Sequence, residues 1–155
     1  MLAAPDILFR PAVVADLPQL YASDPYAQAH ESRRGELQRM VQQAVCVVAV
    51  VDGHVLGFAV LEYHFFGHGF VSLVCVAAAY RGKGIALSLL MELAQRCTTQ
   101  KLFSSTNASN TPAQRLFARA GFVPSGIVEN LDPGDPELIF FKALHKDEPQ
   151  HPAAL

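Results

Sequence analysis

Apolar and polar positions along this chain follow two alternating periods, and together they outline an α/β domain. Ile7-Leu8-Phe9-Arg10 reads as a first strand. Ala15-Asp16-Leu17-Pro18 starts a short helix, with Asp16 placed to cap it. Ser23-Asp24-Pro25-Tyr26 reads as a loop. From Glu31 to Ala44 the spacing is helical, with Leu37, Met40, Val41 and Ala44 on one face. Ala44 to Val51 is a continuous β-branched run, and His54 to Tyr63 is a second apolar run. Asp52-Gly53 between them predicts a hairpin, because a type I′ turn needs two positive φ angles. Gly67-His68-Gly69 marks the next turn and Phe70 to Val76 the next strand.

The second half is equally regular. Ile85, Ala86, Leu89, Leu90, Leu93, Ala94 and Cys97 form one apolar stripe at 3.6-residue spacing. Lys101 to Thr106 reads as a strand. Thr111-Pro112-Ala113-Gln114 has a capping-box layout with Pro at the first helical position. Leu116, Phe117 and Ala120 supply that helix's buried face, and Gly121 is placed as its left-handed stop. Strands near Gly126-Ile127-Val128 and from Leu138 to Leu144 flank the turn Asp132-Pro133-Gly134-Asp135-Pro136. The chain reads as one domain over residues 1–145, with 146–155 a flexible C-terminal tail.

The last of these apolar strands to precede a long helix, Phe70 to Val76, leads into Tyr80-Arg81-Gly82-Lys83-Gly84-Ile85-Ala86. A glycine-rich turn between a strand and a helix exposes unpaired backbone N–H groups at the positive end of the helix dipole, which suits phosphate oxygens. Gly82 and Gly84 let a ligand approach the backbone, while Arg81 and Lys83 add positive charge. The turn lacks the Gly-x-x-x-x-Gly-Lys-Ser/Thr of a P-loop. It also lacks the dinucleotide fingerprint, since Leu87 stands where the third glycine belongs.

Composition narrows the classes. The chain has 155 residues, 51% of them apolar, and a formal charge of −2, with no block of like charges. Nothing here points to nucleic acid or a membrane. Cys46, Cys75 and Cys97 are odd in number and lie inside apolar runs, so they read as reduced core thiols of a cytoplasmic protein. His64 and His68 lack a third ligand at metal-binding spacing and read as loop histidines, one of them able to shuttle a proton.

Arg81, Gly84 and Ala86 occupy the three defining positions of a pattern that resembles the Arg/Gln-x-x-Gly-x-Gly/Ala signature of the GNAT N-acetyltransferase superfamily. Asn110-x-x-Ala113-x-x-Leu116-Phe117-x-x-x-Gly121-Phe122 is similar to that family's second motif, and the element order from Ile7 to Leu144 agrees. The resemblance implies a mixed central sheet of about six to seven strands, with about four helices packed on both faces. It implies that Arg81, Gly82, Lys83, Gly84, Ile85 and Ala86 hold the pyrophosphate of acetyl-CoA. The strand at Val74, Cys75 and Val76 would splay from the strand at Leu102 to Thr106, so that the pantetheine arm enters the gap. Backbone N–H groups there, Val76 among them, would polarise the thioester carbonyl. Asn110 would bond the amide chain, and Phe117 would pack near the sulfur.

Two positions depart from the resemblance. Relatives often carry Tyr, as an acid for the departing thiolate, where this chain has Phe117. They often carry Glu, as a base, near Ser72. Water, Ser72, Cys75 or Tyr63 remain as proton donors, and Glu62 is the nearest candidate base, with His64 and His68 beside it. Asp132, Asp135, Glu137, Asp24 and Glu31 are acidic positions that would suit a cationic acceptor. The reading is an N-acetyltransferase that moves acetyl from acetyl-CoA to a primary amine of a small molecule, as a monomer or homodimer. The alternatives are an acyl-CoA sensing module without turnover, and acetylation of protein N-termini or lysines.

Overall fold

A computed structural model describes residues 6–144; the tail expected over 146–155 lies outside them. Among the described residues the strands are β1 (Leu8–Pro11), β2 (Cys46–Val51), β3 (His54–Phe65), β4 (His68–Val76), β5 (Lys101–Asn107), β6 (Val123–Val128) and β7 (Glu137–Ala143). The α-helices are α1 (Leu17–Ser23), α2 (Pro25–Ala29), α3 (Glu31–Gln42), α4 (Ile85–Arg96) and α5 (Thr111–Arg119). The strands form one mixed sheet in the order β1-β2-β3-β4-β5-β7-β6. β4 and β5 are parallel, joined through α4, and the other neighbouring pairs are antiparallel.

Two cores flank the sheet. On one face α4 and α5 cover Ala49, Leu56, Ala59, Leu61, Val71, Leu102 and Phe140. On the other, α1 to α3 cover Val48, Val50, Phe58 and Val60. β2 is therefore buried on both faces, which is why its sequence is a continuous apolar run rather than an alternation. The Asp52-Gly53 hairpin forms as expected, with φ of +48° and +76°.

Local chemistry moved several boundaries. Ala44 sits in a turn at φ +57°, so β2 begins at Cys46. Ser23 to Tyr26 is not a loop but the junction of two helices, where the Asp24 side chain accepts from the Tyr26 N–H and caps α2. Asp16 does not cap α1 with its side chain. It accepts from the Val13 N–H and from both terminal guanidinium nitrogens of Arg10, at 2.7 and 3.0 Å, and that bonding holds its carboxyl below the usual carboxylate range. At α5 the cap is Asn110, one residue before the expected box, and Pro112 is the second helical residue. His68 opens β4 instead of lying in the turn, which falls at Phe66-Gly67.

The feature that positions the site is in β4. Leu61 pairs with Val71 while Val60 pairs with Leu73, so Ser72 is an extra residue, a β-bulge. β5 follows β4 only from Gly69 to Val71, opposite Leu102 to Ser104. The buried Ser104 hydroxyl donates to the Val71 carbonyl at 2.8 Å, at the end of that short ladder. Beyond it the strands part.

Candidate active site

From Leu73 to Val76, β4 is paired only on its β3 side, with Val60, Ala59, Phe58 and Gly57. Backbone polar groups alternate between the two edges of a strand, so half of those in this stretch face the gap toward β5. The gap is a cleft of about 180 Å³ lined by Ser72, Val74, Ser105, Asn110, Leu116 and Phe117, among others. Gly57 stands beside it for a steric reason. A Cβ there would lie 2.6 Å from the Cys75 carbonyl oxygen and 3.4 Å from a Leu89 methyl, so only glycine lets β3, β4 and α4 meet this closely.

A larger groove of about 680 Å³ runs over the Arg81–Ala86 turn, bounded by Val76, Pro112, Leu116 and Arg119; Leu116 lines both spaces. Gly82 and Gly84 have φ of +74° and +82°, and an added Cβ at either would meet nothing within 4 Å. Gly84 is the N-terminal cap of α4, yet no side chain caps it. The first N–H groups of the helix therefore have no intrahelical acceptor and open toward the groove. Arg81 folds back, its Nε donating to the Val76 carbonyl at 3.2 Å. The Lys83 ammonium rests 5.7 Å from the Tyr80 ring centroid. The turn thus offers free donors, positive charge and room, which fits a pyrophosphate.

The residues expected along the cleft separate by face. Val74 packs with the α4–α5 core and lines the cleft. Val76 lies at the mouth of the groove. Cys75 turns the other way, into the α1–α3 core, where burial pushes its thiol up to about 12; it can reach a ligand only through its backbone. Asn110 uses its side-chain oxygen to accept from the Ala113 N–H at 3.2 Å. Its amide still borders the cleft, so the capping role and the expected contact share one side chain. Phe117 is buried against Phe122 and Phe140, with ring centroids 5.5 and 5.1 Å away, and lines the cleft floor.

The catalytic candidates also sort out. Glu62 sits across from Phe70, its carboxylate accepting from the Ser72 hydroxyl and lying 3.2 Å from His64 Nε2. Glu62 is opposite Phe70, so Ser72, two residues along β4, is its diagonal neighbour, and the bulge falls at that same residue. Tyr63, adjacent in sequence, points elsewhere: its hydroxyl oxygen accepts from the Thr98 N–H at 3.0 Å, away from the cleft. His68 does not join Glu62; its ring lies 6.1 Å from Phe103. Among the described residues no three His, Cys, Asp or Glu side chains group as metal ligands.

The acidic positions expected to face an acceptor are largely occupied. Asp24 is buried and pairs with Arg33 at 3.1 Å. Asp132 accepts from Asn107, and Asp135 accepts from the Ser109 N–H and hydroxyl, pinning the β6–β7 connection to the start of α5. Sequence reasoning missed Tyr80, Leu87, Pro112, Leu116 and Arg119 as groove residues. Arg119 carries no local signal at all, because it enters the groove only through the packing of α5 beside α4. The bulge at Ser72 was equally silent, since no glycine marks it.

The family model described as "Acetyltransferase (GNAT) family" matches residues 14–122. A GNAT-family acetyltransferase from Bacillus cereus is 37% identical, with 91% of this chain and 99% of that one aligned at a TM-score of 0.84. A ribosomal-protein-alanine N-acetyltransferase from Brucella melitensis is 26% identical over 88% and 99% of the two chains, with a TM-score of 0.70. The Salmonella typhimurium protein yncA, solved with its cofactor acetyl-CoA, shares the fold at 21% identity and a TM-score of 0.72, over 97% and 99% of the chains. No curated protein matches this chain.

Proposed function

The chain belongs to the GNAT acetyltransferase family, and from that membership we propose that it transfers acetyl from acetyl-CoA to the primary amine of a small molecule. Acetyl-CoA is the family's co-substrate. The observation that carries the reading is the parting of β4 from β5, with a phosphate-binding turn at one end of the gap and the Glu62–Ser72 pair beside it. The turn and the Arg81, Lys83 and Arg119 side chains hold the pyrophosphate end. The free edge of β4 at Leu73 to Val76 takes the arm that carries the thioester, and its N–H groups stabilise charge on the carbonyl oxygen.

The reaction is direct attack in a ternary complex. An ammonium has no lone pair to offer, so Glu62 first accepts its proton. The amine nitrogen then bonds to the carbonyl carbon, the electron pair moves onto oxygen, and its return breaks the C–S bond. Nitrogen sheds its second proton to solvent, and the thiolate is protonated. Phe117 has no proton to give. Ser72 does, and its hydroxyl already bonds the carboxylate that has just been charged with one. A concerted relay from Glu62 through Ser72 would deliver a proton to sulfur without a separate acid.

Acetyl-CoA turnover measured across amines, amino acids and peptides tests this. Turnover with a small amine and none with peptides is the expected result. Coenzyme A binding without turnover on any acceptor would leave a sensing module instead. Selective turnover of a peptide N-terminus would favour the second reading, toward which the likeness to the Brucella enzyme points.

A further inference from the structure

Five phenylalanines stand outside both hydrophobic cores, four of them half-buried. Phe65, Phe70, Phe103 and Phe141 are each half-buried and come from four separated stretches of the chain. Their rings contact one another in series. Centroids lie 5.1 Å apart between Phe65 and Phe70, 4.8 Å between Phe65 and Phe103, and 5.3 Å between Phe103 and Phe141. The tilts of 34°, 48° and 41° leave both ring faces and ring edges presented. Phe66 extends the row at 5.1 Å from Phe65 and is 87% exposed. A contiguous aromatic surface of this kind on a small domain is unusual unless something packs on it.

Pairing fixes its location. Phe70 is the partner of Glu62 on β3 and of Phe103 on β5, and Phe103 is the partner of Phe141 on β7. Residues directly opposite one another share a face of the sheet. The row therefore begins beside the Glu62 carboxylate and runs away from it across the closed end of the β4–β5 gap. His64 joins the two, 3.2 Å from Glu62 and with its ring 5.5 Å from Phe70. This is a carboxylate at the head of an aromatic strip, next to the cleft that takes the thioester.

We propose that the acceptor is an aryl-bearing primary amine, with its ring on the Phe70–Phe103–Phe141 strip and its ammonium at Glu62. This rests on the acetyltransferase reading and names the substrate class of the same site. Charge complementarity sets the ammonium end. The other end is set by what the strip can reward. An added ring gains offset and edge-to-face contacts that a plain alkyl chain does not, while a second ammonium would have to shed water against phenyl rings. Because Phe70 lies directly across from Glu62, a short alkyl linker joins ring and nitrogen. The step itself is unchanged: the new bond is N–C, the broken bond is C–S, and the products are an N-acetyl arylalkylamine, coenzyme A and one proton.

Steady-state turnover of acetyl-CoA with 2-phenylethylamine, n-butylamine and spermidine tests it. The expected kcat/KM for 2-phenylethylamine exceeds that for n-butylamine by about tenfold or more. Phe103→Leu should shrink that ratio, chiefly through KM for the aromatic amine, and leave coenzyme A affinity as it was. Phe141→Leu is the second variant should the first not fold, and the wild-type ratio is decisive without either. Equal rates for the two monoamines, or preference for spermidine, would overturn the proposal. If no amine turns over, saturation-transfer NMR of the same three amines on the coenzyme A-loaded protein separates the two ideas. Selective binding of 2-phenylethylamine, weakened by Phe103→Leu, would uphold the aromatic strip and sink only the transferase reading. Binding without selectivity would sink the strip.

Discussion

The two ends of the β4 cleft are built from different materials. At the α4 end, the Arg81–Ala86 turn is a site of backbone: two glycines at positive φ, an uncapped helix start, and side-chain charge as an accessory. At the β3 end, Glu62, Ser72 and His64 meet as side chains from two strands, brought together by the pairing of β3 with β4. A backbone site is local. Its backbone parts are consecutive, so a seven-residue string displays them, while Pro112, Leu116 and Arg119 join the groove only through packing. A side-chain site is assembled by register, and a single bulge can create or abolish it.

The largest expected effect falls on the assembled end. Glu62→Gln keeps the shape and removes the base, so kcat should fall by about 10²-fold or more. Coenzyme A affinity, set at the other end, should not change. Steady-state kinetics with calorimetry on the same protein checks both. Wild-type kcat with an unaltered pH–rate profile would return Glu62 to scaffolding and move attention to His64.

The reciprocal change comes next. Gly84→Asp places a side chain and a negative charge where the groove is open, and aspartate tolerates left-handed φ better than most residues. Coenzyme A affinity should drop by at least tenfold, about 1.4 kcal/mol, with the melting temperature little altered. Calorimetric affinity equal to wild type would remove the pyrophosphate assignment.

Phe117 lies between the two ends and should matter least to chemistry. Phe117→Leu trims a ring packed on Phe122 and Phe140, and should cost about 1 kcal/mol in denaturant unfolding with kcat within a few-fold. Phe117→Tyr restores the hydroxyl that relatives often have there. If a relay through Ser72 already supplies the proton, kcat should stay within about threefold. A rise of tenfold or more would place the slow step at thiolate departure and dismiss the relay. A large loss would instead report an unpaired hydroxyl in a filled site.

How far the sequence could be read follows the same division. The hairpin at Asp52-Gly53, the stripe along α4 and the glycine turn at Arg81–Ala86 are encoded by residues close together in the chain, and each formed where its pattern lay. The errors at Asp16, Asp24 and Thr111 were of one kind. Each concerned a helix cap: Asp16 is held by Arg10, Asp24 caps a helix where a loop was expected, and Thr111 follows the true cap, Asn110. Capping depends on a dihedral angle and a competing partner, and Arg10 is such a partner for Asp16.

The sequence by itself determined the order of the elements, the two-sided burial of β2, the glycine-rich turn at Arg81–Ala86 and a helix face that carries Phe117. Those depend on the periodicity of apolar positions and on glycine's freedom, both properties of short segments. Tertiary structure alone decided that β5 leaves β4 after Val71, that β4 bulges at Ser72, that Cys75 and Tyr63 turn away, and that phenylalanines from four strands share one face. The reason is physical. Strand pairing converts one residue of register into a reversal of side-chain direction, and register is set by the packing of the whole sheet between its two cores.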